Sequence, residues 1–377
     1  MIRKEVKMKS LKTSSLFRLA ALLLIAVIVI CMVGFVAEGW QSGPQNQPES
    51  GETDNNNNGD TDENTDGGGE VITPEPPSPP EYTHYLTGLE VTADEYRQRP
   101  LCFLMDSASP LYGISDAPLM VEIPIEAGQT RLLVYRDHSQ NLGKVGSITK
   151  ARECISRLQD FFGGIAICSG TDSSRLSSGT LPARLTFDLS ANSGYAYTEN
   201  TNYLYSNKDL LLAGLQNAGI STSATEALTL PFTFTPYFSN PIRFTKSAQA
   251  VTLPYSETNG TDLYYDSNTA QYLLGKGGQV KNDLLNGKNV SFKNAFVLFA
   301  DATTYESADQ TEMTIDTAGG GSGYYFTEGT ASTINWKLDA TGNLVFSDER
   351  GARLTVNRGT SYIAFYKASC ALNVVFN

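Results

Sequence analysis

LCFLM at Leu101–Met105, LMVEI at Leu119–Ile123 and RLLVYRD at Arg131–Asp137 are the runs on which the fold turns. Each is short, apolar and rich in large side chains, which predicts a buried strand. A helix is predicted from near Ser147, because Ile148, Ala151, Ile155, Leu158 and Phe162 step by three and four along one face. On that reading Ser147 caps the helix and Gly163-Gly164 ends it. Ile165–Cys168 reads as the next buried strand, and Asn207–Asn217 as a second helix closed by Gly219. Strands alternating with helices predict an α/β layer with a central sheet.

Toward the C-terminus the pattern changes. Asp262–Tyr265, Ala295–Ala300, Gly323–Thr327, Thr333–Leu338, Asn343–Ser347 and Tyr362–Tyr366 are short, aromatic and alternating. Thr341-Gly342-Asn343, Arg350-Gly351 and Asn357-Arg358-Gly359 separate them as turns. This predicts a mostly antiparallel β module.

Toward the N-terminus, Leu19 to Ala37 holds no charged residue and follows Arg3, Lys4, Lys7, Lys9, Lys12 and Arg18. At about 1.5 Å per residue such a helix nearly covers a hydrocarbon core of about 30 Å. The positive flank is expected to stay cytoplasmic and to send the remainder outside. An uncleaved anchor fits best. A cleaved signal has a shorter apolar region and a small residue where Phe35 stands. Lipidation at Cys31 is the other alternative, with Ile30 a poor neighbour for it. Residues 38–81 follow, with acids, Asn, Gly, Ser and Pro and no Lys or Arg. Such a segment cannot bury enough apolar area to offset its ordering entropy, and PEPPSPPEY favours extended polyproline geometry.

The net charge of −12 and the absence of any basic stripe exclude nucleic acid as a partner. His84 and His138 are the only histidines, so no zinc set is expected. Beyond the apolar run, Cys102, Cys154, Cys168 and Cys370 permit two disulfides, but Cys102 and Cys168 sit in apolar runs that suit buried thiols. No cofactor is implied.

Several patterns carry an ordinary reading beside a chemical one. Ser147 to Lys150 matches S-x-x-K, with Ser190-Ala191-Asn192 and Lys276-Gly277-Gly278 in order behind it; helix capping by Ser147 outweighs a nucleophile. Asp62 to Gly67 matches half a calcium loop, but Thr73 stands where its acid is needed. The glycines at Gly275–Gly278 and Gly319–Gly321 read as hairpin connections. His138 reads as an exposed turn residue, and Tyr195, Tyr197, Tyr203 and Tyr205 as a half-exposed strand that could stack on sugars. Asp106 at a strand end, with Glu126, Arg131 and Arg152, forms the best candidate cleft, since open α/β sheets gather ligand groups at the carboxyl edge. The ordinary alternative is structural pairing, Glu126 with Arg131 or Asp106 with Arg152.

LTGLEVTADEYRQRPLCFLMDSA from Leu86, IEAGQTRLLVYRD from Ile125 and KVGSITKAR from Lys144 together resemble the YerB-like lipoprotein family, a two-part bacterial envelope family of unknown function. Gly319–Gly323, Tyr324-Tyr325-Phe326, Trp336-Lys337 and Arg358 to Ile363 match its second part. The resemblance covers residues 85–175 and 240–367. The chain departs from the pattern at Ser107 (Asn in the family), at Gly146 to Arg152 (the first Arg lost), at Cys168 to Thr171 (a His-Ala-Gly-Gly replaced) and near Val280-Lys281 (the His of a Pro-His pair lost). The polar set that the resemblance leaves for a ligand is Asp106, Glu126, Thr130, Arg131 and Arg152.

The expected fold class is therefore α+β or α/β. A cytoplasmic tail (1–18), a transmembrane anchor (19–37) and a disordered linker (38–81) precede an α/β part (82–239) and a β-rich part (240–377). The expected role is a ligand-binding or scaffold protein of the cell envelope, held in the cell membrane through residues 19–37, with a cell-wall polymer or envelope protein as partner. An enzyme acting on a glycan or lipid-linked phosphate and a purely structural protein are the alternatives.

Overall fold

Period-two alternation in the first strands sets the architecture. The computed structural model describes residues 77–152, 158, 161–170, 185–199, 202–224, 230–306 and 311–377. The apolar run 19–37 with Cys31, the linker as far as residue 76, the half calcium loop and Cys154 lie outside them. No helix among the described residues is long and apolar enough to cross a membrane.

After the short helix α1 (Ala93–Tyr96) come β1 (Leu101–Asp106), β2 (Leu119–Pro124), β3 (Thr130–Arg136), β4 (Val145–Ile148), β5 (Ile165–Cys168), β6 (Thr186–Asp188), β7 (Leu204–Ser206) and helix α2 (Lys208–Asn217). Next are β8 (Thr233–Phe234), β9 (Lys246–Ser247), β10 (Ala250–Pro254), β11 (Gly260–Asp266), β12 (Gln271–Lys276), β13 (Gln279–Val280) and β14 (Ser291–Phe292). The chain continues through β15 (Asn294–Ala300), β16 (Ala302–Glu306), β17 (Thr311–Ile315), β18 (Gly321–Thr327), β19 (Thr330–Leu338), β20 (Leu344–Ser347), β21 (Thr355–Val356), β22 (Ser361–Lys367) and β23 (Val375–Phe376).

Among the described residues, strands from both parts of the chain share one 13-stranded sheet, whose main path runs β20-β19-β18-β15-β22-β2-β3-β1-β4-β7. β22 lies parallel to both β15 and β2, and β5 lies parallel to β1 and β6. The other neighbours on the path pair antiparallel, so the sheet is mixed. β10 to β14 and β23 form a second, antiparallel sheet. The protein is α+β and mostly strand. The α/β expectation for the first part fails because β2 returns to β3 through a tight turn at Glu126–Gly128 rather than through a crossover helix.

Leu101, Phe103, Met105, Leu132 and Val134 join Val251, Leu253, Leu263, Tyr272 and Leu274 in one core, between the two sheets. Cys102, Leu104, Leu133 and Tyr135 join Ala151, Leu158 and Phe162 in the core on the other face. Cys102, Cys168 and Cys370 are free thiols. Burial pushes the Cys102 and Cys168 thiols up to about 12, which leaves them inert.

The helix predicted from Ser147 is corrected. Val145–Ile148 is a strand, and the described helical residues of that region are Leu158, Phe161 and Phe162. Ile148 belongs to the inter-sheet core and Ala151, Leu158 and Phe162 to the opposite one, so the apparent single face spans two layers. Helix α2 matches its expectation: the Asn207 side chain accepts a hydrogen bond from Leu210 N–H, and Gly219 takes a positive φ of 68° just past the end.

Asp283, fully buried, ties the second sheet to the loop after β1. It accepts hydrogen bonds from Gly113 N–H (2.8 Å), Ser115 N–H (2.8 Å), Ser115 Oγ (2.7 Å) and Leu285 N–H (2.8 Å). Burial pushes its pKa up, but these donors outweigh that and hold it below the ordinary value. Replacing Asp283 with Ala strands two buried backbone donors and a part-buried third, and is expected to cost about 2–3 kcal/mol in urea unfolding. The difference from wild type should be full above the unfolded carboxyl pKa of about 3.9 and disappear as pH falls through the lower folded value.

Candidate functional site

The predicted charged residues meet at the carboxyl end of β1. Asp106 and Arg131 stand opposite each other in the β1–β3 register, and Arg131 Nη1 lies 2.8 Å from Asp106 Oδ2. Arg152 grips Glu126 in a two-pronged pair, 2.6 Å and 2.7 Å, from the segment after β4. The structural pairs expected, Glu126 with Arg131 and Asp106 with Arg152, are exchanged. The reason is register: Arg131 is fixed across from Asp106, which leaves Glu126, in the turn before β3, to meet Arg152. Arg131 feels all three of the other charges. Burial pulls Arg131 down, Asp106 and Glu126 oppose that, and Arg152 adds to it. Burial pushes Glu126 up, but its bonds to Arg152 outweigh that and hold it low.

Thr130 belongs elsewhere. It precedes Arg131 on β3 and therefore points to the other face. There Thr130 Oγ1 donates to Glu122 Oε1 at 2.6 Å, and Thr261 Oγ1 of β11 donates to Glu122 Oε2 at 2.9 Å. Tyr362 of β22 donates its hydroxyl to the same Oε2. Glu122 is 3% exposed, a carboxylate sealed between the sheets. Thr130 Oγ1 also lies 2.5 Å from Ser107 Oγ, and the Ser107 hydroxyl donates its own proton to the Thr130 carbonyl at 3.0 Å. Glu122 is absent from the sequence-predicted set. Its signal was a lone acid in an otherwise apolar strand, LMVEIP.

Lys281 completes this side. Its ammonium donates to the Ser107 carbonyl at 3.2 Å. Burial, with repulsion from Lys276, draws the Lys281 amine down to about 8 against the pull of Glu122 and Asp106.

Other expectations change. Ser147 is buried in β4, with its Oγ 2.6 Å from Ser109 Oγ, so it neither caps a helix nor stands one helical turn from Lys150. His138 is half-buried rather than exposed, and burial lowers its pKa. Tyr205 is buried, and Lys144 Nζ lies 3.9 Å and 4.1 Å from the ring centroids of Tyr112 and Tyr205, so those ring faces hold the chain's own ammonium. Gly321 and Gly323 are required by contact: a Cβ there would lie 2.3 Å and 2.4 Å from the Phe299 and Val297 carbonyl oxygens.

The chain matches two family models, the N-terminal domain of a protein of unknown function (DUF3048) over residues 86–221 and the DUF3048 C-terminal domain over residues 251–363. Its fold is similar to the crystal structure of the YerB protein from Bacillus subtilis, with a TM-score of 0.64 and 22% identity, over 76% of this chain and 96% of that one. No curated protein matches. Glu122 and Thr130 fall in the first matched segment and Thr261 and Tyr362 in the second, so the buried cluster draws on both.

The Glu126–Arg152 pair is expected to show a coupling of about 0.5–1 kcal/mol in a Glu126→Gln/Arg152→Met double-mutant cycle, because solvent screens a partly exposed pair. Glu126 is held low, so the coupling should persist above the unfolded value of about 4.3 and vanish as pH falls through the folded one.

Proposed function

The chain belongs to the DUF3048 family, whose function is unknown, and we propose that it is a membrane-anchored extracytoplasmic protein of the bacterial cell envelope that binds or scaffolds an envelope polymer or protein. The observation that carries the binding reading is the charge quartet. Asp106, Glu126, Arg131 and Arg152 are preorganised in mutual pairs at a strand end, with part of each side chain open to solvent. Paired guanidinium and carboxylate groups can exchange partners with a ligand bearing the same groups at little reorganisation cost. A catalytic reading finds less support: Ser147 bonds Ser109, and the Cys102 and Cys168 thiols are pushed up to about 12.

The anchor reading draws on the uncharged run from Leu19 to Ala37 behind six basic residues, and the tether reading on the acidic, Pro-rich segment that follows. In this proposal residues 82–239 and 240–377 are the two sequence parts of the exported region, the membrane is met through residues 19–37, and Cys31 remains a candidate for lipidation.

The full chain should be retained on isolated cell-wall material, and Arg152→Ala should lower that retention severalfold while leaving the far-ultraviolet dichroism unchanged. Equal retention of wild type and Arg152→Ala counts against the quartet as the binding site. In intact cells, added protease should remove the bulk of the chain; full protection contradicts the exported topology.

A further inference from the structure

We propose that Lys276 and Lys281 form an oxyanion site at the edge of the interface between the two sheets, taking the phosphate or carboxylate group of a ligand. The β12–β13 hairpin builds it. Lys276 pairs with Gln279 and Gly275 with Val280, and the Lys281 N–H continues the ladder to the Leu274 carbonyl. Residues on one face of a strand alternate, so Tyr272, Leu274 and Lys276 project to the same side, and Lys281, across from Leu274, joins them. That side is the inward one, because Tyr272 and Leu274 lie in the inter-sheet core. The hairpin thus turns two ammonium groups toward the end of the main sheet, where Lys281 reaches Ser107.

Their partners are too few for their charge. Lys281 Nζ has three protons and makes one hydrogen bond, to a neutral carbonyl. The Lys276 ammonium makes no hydrogen bond or ion pair among the described residues. The nearby acids are engaged elsewhere: Asp106 with Arg131, and Glu122 with Thr130, Thr261 and Tyr362. Like charges held close and poorly hydrated disfavour one another, and a net acidic chain has spare carboxylates with which to neutralise them. Two lysines short of acceptors at a half-buried sheet edge suit an external oxyanion, which would supply the missing acceptors and cancel the repulsion. Lys276 and Lys281 are both partly exposed, which leaves the site open to solvent. The site does not depend on the envelope assignment.

The test is nuclear magnetic resonance of the full chain with its lysines carbon-13 methylated, the Lys281 signal assigned by its loss in Lys281→Met. In chloride its amine should titrate near 8. Inorganic phosphate or acetate, at matched ionic strength, should raise that midpoint by about one pH unit, a tenfold preference of the anion for the charged amine. Lys276→Met should abolish most of the rise, whereas Lys288→Met, which removes a surface pair with Asp116, should not. A rise with phosphate alone supports a phosphate or phosphodiester ligand, and a rise with acetate alone supports a carboxylate. The same midpoint in phosphate, acetate and chloride overturns the site. A chain that shows the rise but is not retained on cell wall supports the anion site and overturns the envelope reading.

Discussion

A single buried carboxylate governs how the two sheets meet. Glu122 lies on β2, in the middle of the chain's largest sheet, and is sealed by β11 of the second sheet. Burying an ionised carboxylate costs several kcal/mol unless its lone pairs are satisfied. Here Thr130, Thr261 and Tyr362 satisfy them, one hydroxyl from each of three strands. The requirement acts as a registration device. A one-residue slip of β3, β11 or β22 would turn Thr130, Thr261 or Tyr362 to the other face of its strand and leave the carboxylate short of a donor. Tyr362 is itself pushed well above its ordinary pKa by burial and by the adjacent carboxylate, so it stays a donor throughout the physiological range.

Because Glu122 fixes the end of β1 and β3 from one face, it also fixes what the opposite face can present. Thr130 and Arg131 are neighbours in sequence and back to back in space. One serves the sealed cluster, the other the charge quartet with Asp106, Glu126 and Arg152. A rigid sheet end with a dry polar anchor behind it and paired charges in front of it is a suitable mount for recognition.

Much of the framework was legible. The apolar runs at Leu101, Leu119 and Arg131, the Asn207 cap and the Gly219 stop all have local causes, and they fold as their local chemistry dictates. The Asp106, Glu126, Arg131 and Arg152 grouping was legible too, because strand ends collect polar residues. Its pairing was not, since register decides it and register is a long-range property. The segment from Ser147 misled because a strand followed by an apolar helix mimics one helical period when the two bury opposite faces. Glu122 was hidden among apolar neighbours. Its meaning depends on hydroxyls 8, 139 and 240 residues away in sequence, which no local window contains.

Urea unfolding of the full chain carrying Glu122→Ala tests this account most directly. The substitution leaves a void and three buried hydroxyls without their acceptor, so a loss of about 3 kcal/mol or more is predicted, seen alike by dichroism and tyrosine fluorescence. A loss below about 1 kcal/mol would mean that the sheets are held together by apolar packing alone, and would contradict the role given to the carboxylate.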